Sequence, residues 1–437
     1  MKLTVAALML ISLAAPAGAQ LLPPVVGQLP GQALRPLDPL LAPTAGLTSP
    51  PMLGGPLGIS GLTDAGAVPD TRSLLGLRRD RLRQRVRDNR GVLEADPDGN
   101  PVRRGELLAI GMTDAALAAM TAQGFTVVRR DSGSSAGGSV GEVVILRPPA
   151  KLKLEKALAA VRAAAPGVQA DYNHVYEPAG AALQASDAAT AGAGASGARI
   201  GMIDGGVAAH PSLANARIEQ RGFAGQVKAT GHGTAVASLL VGQAANFAGA
   251  ARGAQLLVAD VYGGAAGNGS ADAIARAIDW LAGRGVTVIN VSLVGPANLL
   301  IARAVADVQA KGVLVVAAVG NDGPAAPPLY PASYRQVVAV TAVDAKARLL
   351  PEAGRAAHVD FAAPGADMAA ALMDGGYAAV RGTSFAAPLV TARLAAHPVS
   401  PLAAVSAEAR ATGNAKLGKG VVCEGCRNPV RPLMQKK

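Results

Sequence analysis

Three polar residues sit in glycine-rich settings suited to covalent catalysis. Asp204 lies in Ile203-Asp204-Gly205-Gly206, His232 in Gly231-His232-Gly233-Thr234-Ala235-Val236-Ala237-Ser238, and Ser384 in Gly382-Thr383-Ser384-Phe385-Ala386-Ala387-Pro388. A serine hydroxyl is a poor nucleophile until an imidazole takes its proton. The imidazole needs a carboxylate to fix its tautomer and stabilise the cation. A fourth residue, Asn321, follows Val315-Val316-Ala317-Ala318-Val319-Gly320. A side-chain amide there can donate to a developing oxyanion together with the backbone N–H of Ser384. Each residue alone has an ordinary explanation: a strand-end Asp caps or turns, a lone His is structural, and Gly-Thr-Ser before a helix is an N-cap. His174, His210, His358 and His397 are read in that structural way. The four candidates together, in this order, are read as an acyl-transfer site.

Elements able to position them follow from the hydrophobic pattern between residues 198 and 343. Runs such as Ala198-Arg199-Ile200-Gly201-Met202-Ile203, Leu256-Leu257-Val258-Ala259-Asp260-Val261, 286–293, 313–318 and 337–343 read as buried strands. Helical patterns at 271–281 and 300–310 separate them. Such alternation predicts an α/β domain with a doubly wound parallel sheet, whose ligands bind at the carboxyl ends of the strands. Asp204 falls at such an end.

Upstream, residues 105–178 read as strand, helix, strand, strand, helix, strand. This βαββαβ order predicts a small ferredoxin-like α+β domain. Residues 179–197 are rich in Ala and Gly and read as a linker. Residues 20–104 are expected to hold a Pro/Gly-rich irregular stretch and then a basic run at 72–87, read as a short helix. The run has two readings: a solvated charged helix, or a weak contact with an anionic membrane.

Composition narrows the classes. Of 437 residues, half are hydrophobic and only 3% aromatic, so the core must come from Ala, Val, Leu and Ile. The formal charge of +11 gathers partly in the basic run, which has no interleaved aromatics to stack bases, and no nucleic-acid partner is expected. Residues 1–19 have a positive start at Lys2, an apolar stretch and Ala17-Gly18-Ala19, the anatomy of a cleavable signal peptide. A secreted or periplasmic protein is expected. Cys423 and Cys426, the two cysteines, are too few for a closed zinc site and are candidates for a local disulfide. No metal site is assigned.

The motif blocks around Asp204, His232 and Ser384, with His210-Pro211-Ser212-Leu213, resemble those of the subtilisin-like serine peptidases. Ala277-Ile278-Asp279-Trp280-Leu281, Val288-Ile289-Asn290-Val291-Ser292-Leu293 and Tyr330-Pro331-Ala332-Ser333-Tyr334 extend the resemblance over roughly residues 196–395. It implies a subtilisin-like peptidase domain from residue 198 to 437 with its tail, acting on protein or peptide substrates. It implies that the segment before it is an inhibitory propeptide, and that Ser292, Leu293, Val294 and Gly295 with Ala318, Val319 and Gly320 line the substrate cleft. No cofactor is required for this chemistry; relatives use structural calcium, but no acidic loop here has the spacing of a site. Val294 stands where the family usually has Gly, which implies a pocket for small residues. A catalytically inactive binding protein on the same fold is the alternative, since fold alone does not establish function.

Overall fold

A computed structural model describes residues 71–131, 141–188, 197–265, 267–409 and 416–431. The signal peptide expected at residues 1–19, the stretch at 20–70 and residues 189–196 of the expected linker lie outside these residues. Good helix formers, Arg, Leu and Gln, build α1 (Thr71–Asp88). Leu74, Arg78 and Leu82 recur every fourth position, so they share one stripe, and all three are buried. Next, β1 (Leu93–Ala95) pairs with β2 (Pro101–Ile110), so the strand expected from Gly105 begins four residues earlier. There follow α2 (Asp114–Ala122), β3 (Thr126–Asp131), β4 (Val143–Arg147), α3 (Leu154–Arg162) and β5 (Gln169–His174). Thr113 caps α2 by accepting the Ala116 N–H at 3.1 Å.

These strands form an antiparallel sheet in the order β3-β4-β2-β5, with β1 on β2. Strand side chains alternate between faces. Leu107, Ala109, Val144 and Leu146 pack with Met120, Leu158 and Val161 of α2 and α3 in one cluster. Their neighbours Leu108, Ile110, Val143 and Ile145 join a different cluster, which belongs to the larger domain. The small sheet is therefore hydrophobic on both faces because it covers a second domain.

The segment after β5 is not a simple linker. It contains β6 (Glu177–Pro178) and β7 (Ala181–Ala188). Their composition carries no strand period; both are strands because partner edges supply their hydrogen bonds.

The main domain begins with β8 (Arg199–Asp204), β9 (Arg217–Gly222), α4 (Gly231–Val241) and a small hairpin, β10 (Gln243–Ala244) with β11 (Phe247–Ala248). It continues through β12 (Gln255–Asp260), α5 (Ala271–Gly283), β13 (Val288–Val291), β14 (Leu293–Val294), α6 (Leu299–Ala310) and β15 (Leu314–Ala318). Then come β16 (Val338–Val343), β17 (Phe361–Pro364), β18 (Met368–Ala371), β19 (Tyr377–Arg381), α7 (Thr383–Ala395), α8 (Pro401–Glu408) and β20 (Val430–Arg431). Seven strands form one parallel sheet, β17-β16-β15-β13-β8-β12-β9. Clusters rich in Ala, Val, Leu and Ile cover both faces, α4 and α7 on one side and α5 and α6 on the other. Chain order reverses at β8, so the crevice at its carboxyl end is the place for chemistry. The expected strand 286–293 is two: the chain turns at Ser292 so that β14 can pair with β6 outside the main sheet. Among the described residues, no helix is long and apolar enough to cross a membrane.

Candidate active site

Asp204 is the last residue of β8, and its carboxylate is fixed by accepting the Gly205 N–H at 2.7 Å. His232 occupies the first turn of α4, whose N-cap Thr230 accepts the Gly233 N–H. Ser384 is the second residue of α7. The structure brings the three together. His232 Nδ1 lies 2.9 and 2.8 Å from the two Asp204 oxygens, and Nε2 lies 3.0 Å from Ser384 Oγ. A carboxylate only accepts, so Nδ1 carries the hydrogen and Nε2 is free to take the serine proton. Asp204 and Ser384 are buried, which strengthens the electrostatics among the three.

Asn321 stands beyond β15 on the other side of the nucleophile. Its Oδ1 accepts the Thr383 N–H at 2.9 Å, which turns the amide NH₂ toward the cleft. That NH₂ donates to the carbonyl of Ala179, and the Ser384 N–H donates to the same oxygen at 3.0 Å. Two converging donors on one carbonyl, beside the Ser384 hydroxyl, have the arrangement of an oxyanion hole with an occupant. The occupant is the chain itself. Leu293 pairs with Pro178 and Val294 with Glu177, antiparallel, and the Ala179 N–H donates to the Ser292 carbonyl at 3.1 Å.

Glycines permit this approach. A Cβ on Gly180 would lie 2.1 Å from Ser384 Oγ. Gly382, at φ +138°, would place a Cβ 2.8 Å from Asn321 Nδ2 and 2.9 Å from the Gly180 Cα. The expected cleft residues divide into groups. Ser292, Leu293 and Val294 meet the cleft-bound segment directly, and Gly295 faces the Tyr176 ring, where a Cβ would come within 2.5 Å. Gly320 donates its N–H to Thr383 Oγ1 at 3.1 Å, and buried Ala318 and Val319 form the wall leading to Asn321. Val294 and Leu329 crowd Gly320, where an added Cβ would lie 2.8 Å from Leu329 and 3.5 Å from Val294.

Sequence reasoning missed a buried relay. Thr391 Oγ1 shares its one hydrogen between Asn290 Oδ1 at 3.1 Å and the Ala387 carbonyl at 3.0 Å, Asn290 Nδ2 donates to Ser292 Oγ, and Ser292 Oγ donates to the Ser384 carbonyl at 2.9 Å. It ties α7 to β13 and so holds the nucleophile over the sheet. The only legible signal was Asn and Thr inside otherwise apolar elements. Two other histidines play structural parts: His210 bonds Ser212 and the Gly376 carbonyl, and His358 bonds the Val337 carbonyl. His174 is buried between Asp96 and Asn298. Cys423 and Cys426 are joined in a disulfide. Among the described residues, no group of three or more His, Cys, Asp or Glu is arranged to hold a metal ion.

The basic helix has an inward face that neither sequence reading foresaw. Arg81 bonds Glu177 at 2.8 Å and Asp322 at 2.9 Å, and Arg78 bonds Asp322 at 3.0 Å. Burial alone would raise the Glu177 carboxyl, but Arg81, then Arg85 and Arg78, outweigh it and hold it low. Farther along the interface, Asp272 of α5 receives Arg129 of β3 at 2.6 Å. Burial opposes its ionisation, yet Arg129, Ser270 and Arg276 bring its pKa down to about 2.

A doubly wound sheet carrying Asp, His and Ser with an amide oxyanion donor defines a serine hydrolase of the acyl-transfer type. The Subtilase family model matches residues 195–399. The chain is 34% identical over 214 residues to Subtilisin Savinase of Lederbergia lenta, covering 48% of this chain and 78% of that protein. It is 36% identical over 220 residues to Alkaline elastase YaB of Bacillus sp. (strain YaB), covering 48% of this chain and 56% of that one. Fervidolysin from Fervidobacterium pennivorans, described as a keratinolytic enzyme related to subtilisin, superposes with a TM-score of 0.64 at 19% identity, over 76% of this chain and 61% of that structure. The chain belongs to the subtilase family and is a serine endopeptidase of that family.

Proposed function

We propose that the protein is an exported proenzyme that cuts its own Ala179–Gly180 bond and then hydrolyses peptide bonds in other proteins. The observation that carries this reading is the Ala179 carbonyl, held by the Ser384 N–H and Asn321 beside a Ser384 hydroxyl already bonded to His232. Ser384 Oγ attacks that carbonyl carbon as His232 Nε2 takes its proton. The C–N bond breaks, the proton passes to the Gly180 nitrogen, and an ester joins Ala179 to Ser384. Water, deprotonated by His232, then hydrolyses the ester. Asn321 and the Ser384 N–H hold the oxyanion in both halves, and none of these steps calls on a cofactor.

Residues before Gly180 act as the intramolecular inhibitor, supported by the β6–β14 pairing and by the small sheet's apolar face on the main domain. Export to the periplasm or the medium is supported by the signal-like residues 1–19. The cleft-bound Ala179, buried in one cluster with Val294 and Leu329, supports a preference for small residues before the cut. A fluorophosphonate probe tests the catalytic reading: the processed protein should be labelled at Ser384 and the Ser384→Ala protein should not. No labelling of the processed protein would favour a binding role.

A further inference from the structure

Glu177 is the third residue before the Ala179–Gly180 bond, and strand alternation puts it on the same face as Ala179. Its carboxylate meets an unusual neighbour. One terminal nitrogen of Arg81 contacts Glu177 Oε1 at 2.8 Å and Asp322 Oδ1 at 2.9 Å, so the two carboxylates face each other across a single guanidinium nitrogen. Asp322 directly follows the oxyanion donor Asn321 and is buried at the cleft wall. Its ion-pair partners are Arg78 and Arg81; those of Glu177 are Arg81 and Arg85. All three arginines lie on α1, spaced so that one helix face presents them. Leu74 of the same helix packs against Gly323.

Two like charges at such a distance in a buried site repel strongly unless cations lie between them. Here the cations travel with the segment that leaves. Once everything before Gly180 has gone, Asp322 keeps its carboxylate at the cleft wall without the two guanidinium groups that neutralised it. A lysine or arginine of an incoming substrate, at the position Glu177 held, would bring its cation to the place of the Arg81 guanidinium. An aspartate or glutamate there would meet Asp322 bare.

We propose that Asp322 is a specificity-determining residue of the processed enzyme, selecting Lys or Arg and rejecting Asp or Glu at the third residue before the scissile bond. This rests on the reading of Ala179–Gly180 as the cleaved bond. The enzyme's own segment, with Glu177 at that position, is admitted because α1 supplies the missing cations. A released segment keeps α1 and can rebind, whereas one cut again between α1 and Glu177 would leave an acid facing Asp322 and rebind poorly.

The test compares internally quenched peptides carrying Tyr-Xaa-Pro-Ala-Gly, with Xaa as Lys, Gln or Glu, against the processed enzyme. At low salt kcat/KM should fall in the order Lys, Gln, Glu, with about tenfold or more between the ends. At about 1 M salt, where the screening length is about 3 Å, the spread should shrink. The Asp322→Asn enzyme, its Ser384 confirmed by fluorophosphonate labelling, should lose most of the discrimination while still cleaving the Gln peptide. The salt comparison needs only the unaltered enzyme, so the proposal stays testable if the variant fails to fold. Cleavage of all three peptides at equal rates, or a Lys preference unchanged in Asp322→Asn, would overturn the proposal alone. Failure to cleave any peptide, with no labelling, would overturn the endopeptidase reading and the proposal with it.

Discussion

Replacing Asn321 with alanine removes one of two donors to the Ala179 carbonyl but leaves the triad distances untouched. The expected loss in kcat is about 10²–10³-fold, with little change in KM, because the bond strengthens only as the oxyanion forms. A large rise in KM instead would show that Asn321 serves ground-state binding. Gly180 makes a second demand on the same atoms. A valine there would press on Ser384 Oγ and on the Phe385 ring, so Gly180→Val should slow self-cleavage about tenfold or more. The rate at which the shortened chain accumulates measures it, and an unchanged rate would mean that the segment passes the nucleophile by another path. The triad was legible in the sequence because the chemistry dictates residue types and each type stands in a distinctive glycine-rich frame. The Thr391–Asn290–Ser292 relay was not, because its two ends join ordinary residues 101 and 92 positions apart in the chain.

Elements show the same division. Strands such as β8, β12 and β15 announce themselves as apolar runs, since both faces of a parallel sheet are covered. Segments β6 and β7 do not, because their strand state comes from the edges they dock on. The arginines of α1 read as a charged run because Glu177 lies 96 residues from Arg81, and Asp322 lies 241 residues from it. At the neighbouring face of the interface, Asp272 supplies a pH dependence. Its pKa falls from 3.8 to about 2 with the segments assembled, and the share due to Arg129 disappears when they part. A carboxylate with a lowered pKa favours assembly when ionised, so its contribution is complete above about 4 and fades as pH falls toward 2. The cleaved segment should therefore co-elute with the catalytic domain at pH 6 and bind several-fold more weakly near pH 3. Asp272→Asn should flatten that profile; an equally steep one would assign the acid sensitivity to other groups.

At the scale of the whole molecule, the small sheet, α1 and the cleft-bound strand all meet the catalytic domain from the N-terminal side of one peptide bond. The small sheet lends its second face to the core around α5 and α6, α1 neutralises the acids at the cleft wall, and β6 fills the substrate strand's place. A buried face, three arginines and the catalytic cleft all engaged by residues 71–179 support the proposal that this segment is the enzyme's first substrate. The βαββαβ order was legible from its periodicity, but its relation to the cleft was not, because local pattern says nothing of which surfaces meet. The most direct measurement is the intact mass and N-terminal sequence of the purified protein beside its Ser384→Ala form. The account predicts a chain beginning at Gly180 in the unaltered protein and no such chain in Ser384→Ala. A new N-terminus elsewhere would contradict the assignment of the bond, and a Gly180 terminus in both forms would contradict self-cleavage by Ser384.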